Sequence, residues 1–498
     1  MKKVLFLFAA AYLACICSSS PAIALSPNPC FSSLETADLG LRVPAMSFAG
    51  NLYSVSFDYN SAGPTAESAT WFKVSGITAS TLTTCSYPAP LFIDAGKLIL
   101  RVPMALYSHI PFWTELEYVP STDGQIWFKL RNLGLMANQV FVTSSSGTGN
   151  LSTWPEAGGM TGLAAGDAVC QARATAAGLP GAFRAWLSDD TSDAYCRVQG
   201  FMGKKAANCG QAALPVAGGP WVRTDGFPFA QALADISVRG QIFVPLDNNE
   251  SGVPIQGNGV WTGTGSDGVV VSTDNCSQWS GPSSSIGAVG ATLFTRDAWT
   301  FISNYSCSDS LPLFCFQSGS GQLLPPFVLP GKKVFLSSST GTGNLQSWPD
   351  SGGNAGLAAG DAICRARATA GGLANASNFK AWLSTDSVNA GDRITSNGPW
   401  VRVDGVKVAD TKAALLSGGI FAPINLDDRG FYYANWGAWT GTDEHGLKLS
   451  DTCSNWTSTA AGVNGTIGSV YASGTSWSNW YANDCGNSTP SHLYCFED

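Results

Sequence analysis

Beyond its N-terminus the chain first alternates between apolar and polar positions. Runs rich in β-branched and aromatic residues are broken by Gly, Pro and Ser, and they include residues 53–57, 71–74 and 98–102. Alternation with a period of two is typical of strands that bury one face. We therefore predict that residues 26–139 form a small all-β domain, most simply a sandwich.

From residue 140 onward the pattern changes to helical and short apolar segments. Residues 163–178 are rich in Ala, contain no Pro and end in Gly, which predicts a helix with a glycine C-cap. The apolar run 183–188 predicts a buried strand. The same two elements are predicted again further on, and each set is followed by a shorter second helix. The repeated helix is predicted at residues 357–371 and the repeated strand at 379–384. The second helices are predicted at 229–238 in the first copy and 410–416 in the second.

An internal repeat accounts for this duplication. Residues 140–151 return as 334–345 at an offset of 194 positions, whereas residues 219–223 return as 398–402 at an offset of 179. The first copy therefore carries a net insertion of about 15 residues. The fold class predicted for each copy is α+β. The domain boundaries that follow are 26–139, 140–317 and 334–498, with a linker rich in Gly and Pro at 318–333.

Composition narrows the range of functions. Charged residues make up only 12% of the chain, about half of the usual share. The net charge of −8 and the pI of about 4.9 argue against nucleic acid as a partner, because no basic surface could neutralise phosphates. After the N-terminus no stretch approaches the ~20 apolar residues that a spanning helix needs. We expect no transmembrane span, and the oligomeric state stays open.

Residues 1–24 are typical of an export signal. Two lysines precede an apolar run and an A-x-A site, which predicts a signal peptide cleaved after Ala24. The segment 12–15 offers an alternative, a lipoprotein signal with Cys15 acylated. Cleavage removes Cys15 and Cys17 from the 14 cysteines and leaves an even number, whereas acylation would leave Cys17 unpaired. We predict a secreted or outer-surface protein, with the lipid anchor as the less favoured alternative.

The cysteines favour a disulfide framework, as expected in an oxidising compartment. Four cysteines in the second copy allow three connectivities, and a nested one would tie the first helix to the last strand. The insertion in the first copy brings in two further cysteines, which favours a local bridge between them. The predicted bridges are Cys30–Cys85, Cys170–Cys315, Cys196–Cys209, Cys276–Cys307, Cys364–Cys495 and Cys453–Cys485.

A series of short motifs resembles a known fold. In the first copy these motifs are FRAWLS (183–188), WVRTDG (221–226), VWTGT (260–264), CSQW (276–279) and LFCF (313–316), and the second copy presents the same series. Their order resembles the C-type-lectin-like fold, in particular its endostatin-like branch. The two copies are also similar to an uncharacterised family of secreted lectin-like proteins from spirochaetes and myxobacteria. The resemblance covers about two-thirds of the chain and implies two tandem lectin-like modules.

The resemblance bears on metal binding. Sugar-binding C-type lectins hold Ca²⁺ with a Glu-Pro-Asn or Gln-Pro-Asp motif and a Trp-Asn-Asp triplet. Both tripeptide motifs are absent here, and residues 480–485 (WYANDC) only approximate the triplet. We predict no cofactor and keep Ca²⁺ in the second copy as the alternative, with Asp443, Glu444 and Asp484 as candidate oxygen ligands. A solvated loop is the preferred interpretation of residues 443–444 and of the similar pair 427–428.

Two tryptophans near the C-terminus are candidates for ligand binding. Trp477 and Trp480 stand among Ser, Asn and Tyr in a loop-like stretch, and exposed aromatic faces bind pyranose rings by apolar contact. We add Asn483 and Asp484 as polar candidates. The tryptophans that recur in both copies within apolar motifs are predicted to be core residues, namely Trp186, Trp261, Trp382 and Trp439.

The sequence lacks the known motifs for a positioned base or nucleophile, which predicts a protein that is not an enzyme. An extracellular hydrolase that uses His445 is kept as a minor alternative. The leading hypothesis is a secreted or surface-exposed adhesion protein that binds a carbohydrate or an extracellular-matrix protein through tandem lectin-like modules. The competing hypothesis is a disulfide-stabilised structural component of the cell envelope or an appendage, with no soluble ligand.

Overall fold

A computed structural model describes most of the chain between Ser32 and Asp498. The described residues are 32–34, 39–48, 51–80, 91–94, 98–107, 110–135, 137–255, 259–281, 285–321, 331–433, 437–487 and 491–498. The predicted signal peptide, Cys15, the Cys30–Cys85 bridge and most of the linker lie outside these residues. Within them the protein is a mixed α+β structure with many strands and few helices.

Residues 32–135 form one sheet. Its strands are β1 (Ser32–Leu34), β2 (Leu41–Phe48), β3 (Asn51–Asn60), β4 (Trp71–Ala79), β5 (Leu91–Asp94), β6 (Ile99–Tyr107), β7 (Ile110–Val119) and β8 (Trp127–Leu135). They follow the order β1-β2-β3-β4-β8-β7-β6-β5, and β1 also pairs with β6, so the sheet closes on itself. Val55 and Phe57 are buried while Ser54 and Ser56 are partly exposed, as the alternation predicts. The described part is all-β, but a single closing sheet replaces the predicted pair of facing sheets.

The first copy of the repeat contains two sheets. Its elements are β9 (Asn138–Val142), α1 (Gly162–Ala176), β10 (Phe183–Ala185), α2 (Ala194–Arg197), β11 (Trp221–Arg223), β12 (Pro228–Ala230), β13 (Gly259–Trp261), α3 (Cys276–Trp279), β14 (Ile286–Ala291), β15 (Ser303–Ser306) and β16 (Phe314–Gln317). One sheet has the order β10-β16-β9-β11-β12 and the other β13-β14-β15.

The second copy joins the equivalent strands into one sheet. Its elements are β17 (Lys332–Leu336), α4 (Gly356–Ala370), β18 (Phe379–Ala381), α5 (Ala390–Arg393), β19 (Trp400–Arg402), β20 (Lys407–Ala409), α6 (Lys412–Leu415), β21 (Gly437–Trp439), α7 (Cys453–Trp456), β22 (Asn464–Ser469), β23 (Tyr481–Asp484) and β24 (His492–Glu497). The order is β20-β19-β17-β24-β21-β22-β23, and β18 also pairs with β24.

Short helical turns connect these elements. Turns of the 3₁₀ type lie at Leu151–Thr153, Pro155–Ala157, Lys205–Gly210, Arg296–Trp299, Leu345–Ser347, Pro349–Ser351, Ala376–Asn378 and Thr475–Trp477, and a π turn lies at Asp235–Arg239.

The chain divides into two compact units. Unit 1 consists of Met1–Val238, Leu246–Gly290 and Thr300–Pro325, and unit 2 consists of Arg239–Pro245, Ala291–Trp299 and Pro326–Asp498. Unit 2 therefore contains the whole second copy together with two short segments from the first copy. The second of these segments, Ala291–Trp299, pairs with the loop that contains Tyr471.

The long helix of each copy is confirmed, and the predicted second helices are confirmed in part. Residues 228–230 form strand β12, which pairs with β11, so the helix starts later than predicted: residues 233–239 are helical and end in the π turn. In the second copy α6 is a single turn. Phe229 is fully buried within this pairing. The tertiary environment therefore overrides a local pattern that suits a short helix.

Five disulfides lie in the described part of the chain, and all five are pairs that the sequence predicts. In the first copy, Cys170–Cys315 ties α1 to β16, and Cys364–Cys495 repeats this link between α4 and β24. The inner and local bridges are Cys276–Cys307, Cys453–Cys485 and Cys196–Cys209. The four recurring tryptophans predicted as core are also buried, each at most 1% exposed.

The helical turns α3 and α7 are left-handed. In α7, four consecutive residues that are not glycine, Cys453, Ser454, Asn455 and Trp456, have φ values of 49°, 52°, 59° and 66°. This conformation costs roughly 1–2 kcal/mol per L-residue. The Cys453 disulfide anchors one end of the turn. At the other end the buried Trp456 indole donates a hydrogen bond to the carbonyl oxygen of Ser384 at 2.7 Å.

Candidate functional site

The described part of unit 2 presents a group of three aromatic side chains at the edge of its sheet. Trp480 and Tyr481 are 38% and 39% exposed and stand at the start of β23, the last strand in the sheet order. The ring centroids of Trp480 and Tyr481 are 4.7 Å apart, and those of Trp480 and Tyr471 are 5.6 Å apart. Both pairs are T-shaped, at 68° and 77°. We call Tyr471, Trp480 and Tyr481 the aromatic cluster.

The backbone that carries the aromatic cluster is held close to the sheet. The amide of Trp480 donates to the carbonyl oxygen of Ile467 in β22 at 2.9 Å. A Cβ on Gly468 would lie 2.0 Å from the carbonyl oxygen of Trp477, so this close approach requires glycine. The loop between β22 and β23 is thereby fixed, and the indole of Trp480 projects from an ordered support.

Trp477, predicted as a stacking residue, is instead a core residue. It is fully buried, and its ring lies 5.2 Å from Trp382 and 5.8 Å from Tyr494. A buried ring offers no face to a sugar, so this part of the prediction is wrong. Trp477 anchors the turn Thr475–Trp477, and Trp480, three residues later, is the exposed member of the predicted pair.

The two polar candidates lie on β23, the strand that begins with Tyr481. The Asn483 side-chain oxygen accepts a hydrogen bond from Asn487 Nδ2 at 2.9 Å, and the amide nitrogen of Asn483 is a hydrogen-bond donor. The carboxylate of Asp484 accepts from the amides of Gly462 at 3.1 Å and Gly486 at 2.8 Å. Asp484 therefore uses both oxygens to tie together the backbone on either side of the β22–β23 hairpin.

The other calcium candidates form a separate loop. Asp443 Oδ1 accepts from the amides of His445 at 2.9 Å and Leu447 at 2.7 Å, which closes a turn. His445 Nδ1 is 3.0 Å from the carbonyl oxygen of Leu416, and its Nε2 lies 3.9 Å from Glu444 Oε1. Among the described residues no group of three or more His, Cys, Asp or Glu side chains is arranged to hold a metal ion.

The pair Asp427–Asp428 is buried, which corrects its interpretation as a solvated loop. Asp427 is fully buried and its carboxylate accepts from the amides of Arg429 at 2.8 Å and Phe431 at 3.0 Å. Asp428 is 2% exposed and its Oδ1 accepts from the amide of Ser338 at 2.9 Å. The Asp427 carboxylate closes its own loop, and the Asp428 carboxylate ties that loop to Ser338, just after the end of β17.

Burial controls the ionisation of the tyrosines in the aromatic cluster. Burial raises the pKa of Tyr471, and the nearby Ser469 side chain and Arg296 charge offset only part of this effect. Burial also raises the pKa of Tyr481. Both hydroxyls therefore remain protonated around neutral pH and serve as donors and acceptors of hydrogen bonds.

Two groups outside the aromatic cluster also titrate away from their ordinary values. Burial lowers the pKa of His492, against the effects of its 2.7 Å contact with the carbonyl oxygen of Ser337 and of the nearby Asp427 charge. Burial raises the pKa of Asp498, but hydrogen bonds from Lys380 and from the backbone outweigh it and lower the value to about 2.

The first copy lacks the aromatic pair at the corresponding positions. In the first copy Ser303 pairs with Val289, and in the second copy Tyr481 pairs with Ile467. Both residues of the second pair lie 178 positions after their counterparts in the first, so the two pairs are equivalent. The residue before Ser303 is Ile302, which is 47% exposed. Ile302 and Ser303 therefore occupy the positions of Trp480 and Tyr481, which makes the exposed aromatic pair a property of the second copy.

No family model matches the chain, and no curated protein sequence matches it. Within the described residues, no helix has the length and apolar character needed to cross a membrane.

The sequence singles out Trp480, Asn483 and Asp484 but gives no signal for Tyr471, because only the fold brings this residue next to an indole nine positions later.

Proposed function

We propose that the protein is an exported, non-enzymatic binding protein, and that its second copy recognises a carbohydrate through the aromatic cluster. The observation that carries this proposal is a partly exposed indole, Trp480, held by two perpendicular tyrosine rings on an ordered sheet edge. The C–H face of a pyranose ring packs on such an indole, and ordering the indole beforehand reduces the entropy lost on binding.

Polar groups beside the indole supply directional contacts. The tyrosine hydroxyls of the aromatic cluster are protonated around neutral pH, and the Asn483 amide offers a donor on the same strand. Sugar hydroxyls pair with groups of this kind. One stacking ring with a few polar neighbours suits the recognition of one sugar unit, with modest affinity.

Several observations support the export and non-enzymatic parts of this proposal. The five disulfides described above suit an oxidising compartment. Of the two described histidines, His492 is buried against Ser337, and His445 has its Nδ1 in contact with the carbonyl oxygen of Leu416. The order of motifs that resembles lectin-like modules supports the same function, and a matrix protein in place of a glycan is the nearest alternative ligand.

The test is a glycan array probed with the full chain that begins at residue 25, followed by titration of the best glycan. We expect Trp480→Ala to weaken binding about tenfold, since an aromatic contact is worth up to about 1.5 kcal/mol. The matched control is Ile302→Ala at the equivalent position of the first copy, which should leave affinity unchanged. If no glycan binds, or if Trp480→Ala binds as the parent does, this function is wrong and a structural role is favoured.

The same titration separates calcium-dependent from calcium-independent recognition. Both oxygens of Asp484 already accept backbone hydrogen bonds. We therefore expect the affinity to be the same in EDTA and in Ca²⁺. A loss of binding in EDTA that Ca²⁺ restores would instead support the calcium alternative.

A further inference from the structure

A distant segment of the chain pairs with the loop that carries Tyr471. Unit 2 includes Ala291–Trp299, a segment of the first copy that lies far from Tyr471 in sequence. The amide of Thr295 donates to the carbonyl oxygen of Tyr471 at 2.9 Å, and the amide of Ser473 donates to that of Leu293 at 2.9 Å. Phe294 and Ala472 are consequently directly opposed in an antiparallel bridge.

Side chains extend this pairing to the aromatic cluster. The Phe294 ring centroid lies 6.1 Å from that of Tyr471, and the Tyr471 ring in turn lies 5.6 Å from Trp480. The hydrogen bonds on either side of Phe294 and Ala472 make them a non-hydrogen-bonded pair, in which side chains come closest. The small Ala472 therefore leaves room for the ring of Phe294.

The side chain of Leu293 also packs closely against the Tyr471 loop, at Gly474. A Cβ placed on Gly474 would lie 2.9 Å from Leu293 Cδ1, so the absence of a side chain at this position accommodates Leu293. Two backbone hydrogen bonds, one aromatic contact and one glycine-dependent approach thus hold the segment around Phe294 against the Tyr471 loop.

We infer that Phe294 is a positioning residue for the aromatic cluster: it supports Tyr471, which fixes the orientation of the Trp480 indole. The ligand site is then built from two segments far apart in sequence, 291–299 and 464–484. The inference rests on the proposed function only where a ligand is concerned, because the orientation of Trp480 can be measured without one.

The pairing itself is tested by a cysteine pair in the full chain. Residues of a non-hydrogen-bonded pair have Cα atoms about 4.5 Å apart, within the range of about 4.4–6.8 Å that a disulfide spans. The double variant Phe294→Cys/Ala472→Cys should form one additional intramolecular disulfide, detected by mass spectrometry of a non-reduced digest. Each single variant is the control and should retain a free thiol. A double variant with two free thiols would overturn the inference.

The positioning role is tested by ¹⁹F NMR of protein containing 5-fluorotryptophan. The chain has 17 tryptophans, and Trp480→Ile, which introduces the residue of the first copy, identifies the Trp480 resonance by its loss. We expect Phe294→Ala to move this resonance and Phe294→Tyr to restore it. Phe294→Leu serves as a second variant that keeps an apolar side chain and should give an intermediate position.

Glycan binding provides the final comparison. Phe294→Ala should lower the affinity about two- to tenfold, the range that one aromatic pair is worth. A Trp480 resonance that stays in place in Phe294→Ala refutes the positioning role whatever the glycan result. A resonance that moves in a protein that binds no glycan leaves the positioning role standing and refutes the proposed carbohydrate function.

Discussion

The two copies differ at a buried ion pair, and this difference predicts a stabilising substitution. In the first copy Glu250 is 3% exposed, accepts from the amide of Ser144 at 3.0 Å and pairs with Arg173, whose Nε lies 2.8 Å from its Oε1. The equivalent residue in the second copy is Asp428. Its Oδ1 accepts from the amide of Ser338, whereas Oδ2 has no hydrogen-bond donor among the described residues.

The shorter side chain explains the missing contact. Arg367, the counterpart of Arg173, contacts Ser338 Oγ at 3.2 Å and pairs with Asp350 at 3.2 Å. Asp428→Glu lengthens the side chain by one methylene, the same length with which Glu250 reaches Arg173, and should bring the carboxylate to Arg367. An unsatisfied buried acceptor costs about 1–3 kcal/mol, and part of this gain is lost if the added carbon is tightly packed. We therefore expect a net stabilisation of about 1 kcal/mol, or roughly 2–4 °C in Tm for a unit of this size.

Hydrogen exchange measured by mass spectrometry on the full chain is the appropriate assay, because it assigns a change to a particular copy. Asp428→Glu should slow exchange in β17 and α4 and leave β9 and α1 unchanged. The reciprocal variant, Glu250→Asp, should speed exchange in the first copy by an amount that corresponds to about 1–3 kcal/mol. Faster exchange in β17 and α4 of Asp428→Glu would show that packing, not hydrogen bonding, decides stability at this site.

Three further predictions concern stability. The pKa of His492 is lowered in the folded state, so its contribution to stability should be complete above about pH 6.5 and should fall as the pH drops below this value. The urea midpoint should therefore be lower at pH 5.5 than at pH 7.5, and His492→Asn should make this difference smaller. The pKa of Asp498 is about 2 against an ordinary value of 3.8, so its contribution to stability should be present above pH 4 and disappear as the pH falls towards 2. Asp498→Asn should cost no more than about 1 kcal/mol at pH 7, because its ion-pair partner Lys380 is 33% exposed and water screens the pair; an equal effect at pH 2 would contradict the assignment. Ser454 adopts φ 52° in the left-handed turn, so Ser454→Gly should be more stable than Ser454→Ala by about 1 kcal/mol in thermal unfolding, and equal stabilities would show that the turn is not strained at this position.

The features that sequence predicted well are those fixed by local pattern or by duplication. The helices α1 and α4 follow from Ala-rich segments that end in Gly, and the bridges follow from cysteines that recur at corresponding places. The left-handed turn α7 could not be predicted, because four consecutive residues other than glycine disfavour it and only tertiary contacts hold it. The burial of Asp428 was missed for a similar reason, since two adjacent carboxylates normally indicate a solvated loop.

The prediction for Trp477 and Trp480 shows how the comparison of copies can improve on composition. Both residues stand among polar neighbours, and composition alone gave them the same role. Trp477, however, has a tryptophan counterpart in the first copy, Trp299, and both are buried; Trp480 has Ile302. A position that keeps its large aromatic residue in both copies serves the shared core, whereas an exposed aromatic residue found in one copy is available for a role of its own. By this argument the two copies should differ in ligand binding, and Ile302→Trp in the first copy should not create a second site, because Leu293 stands there at the position of Tyr471 and the supporting ring is missing.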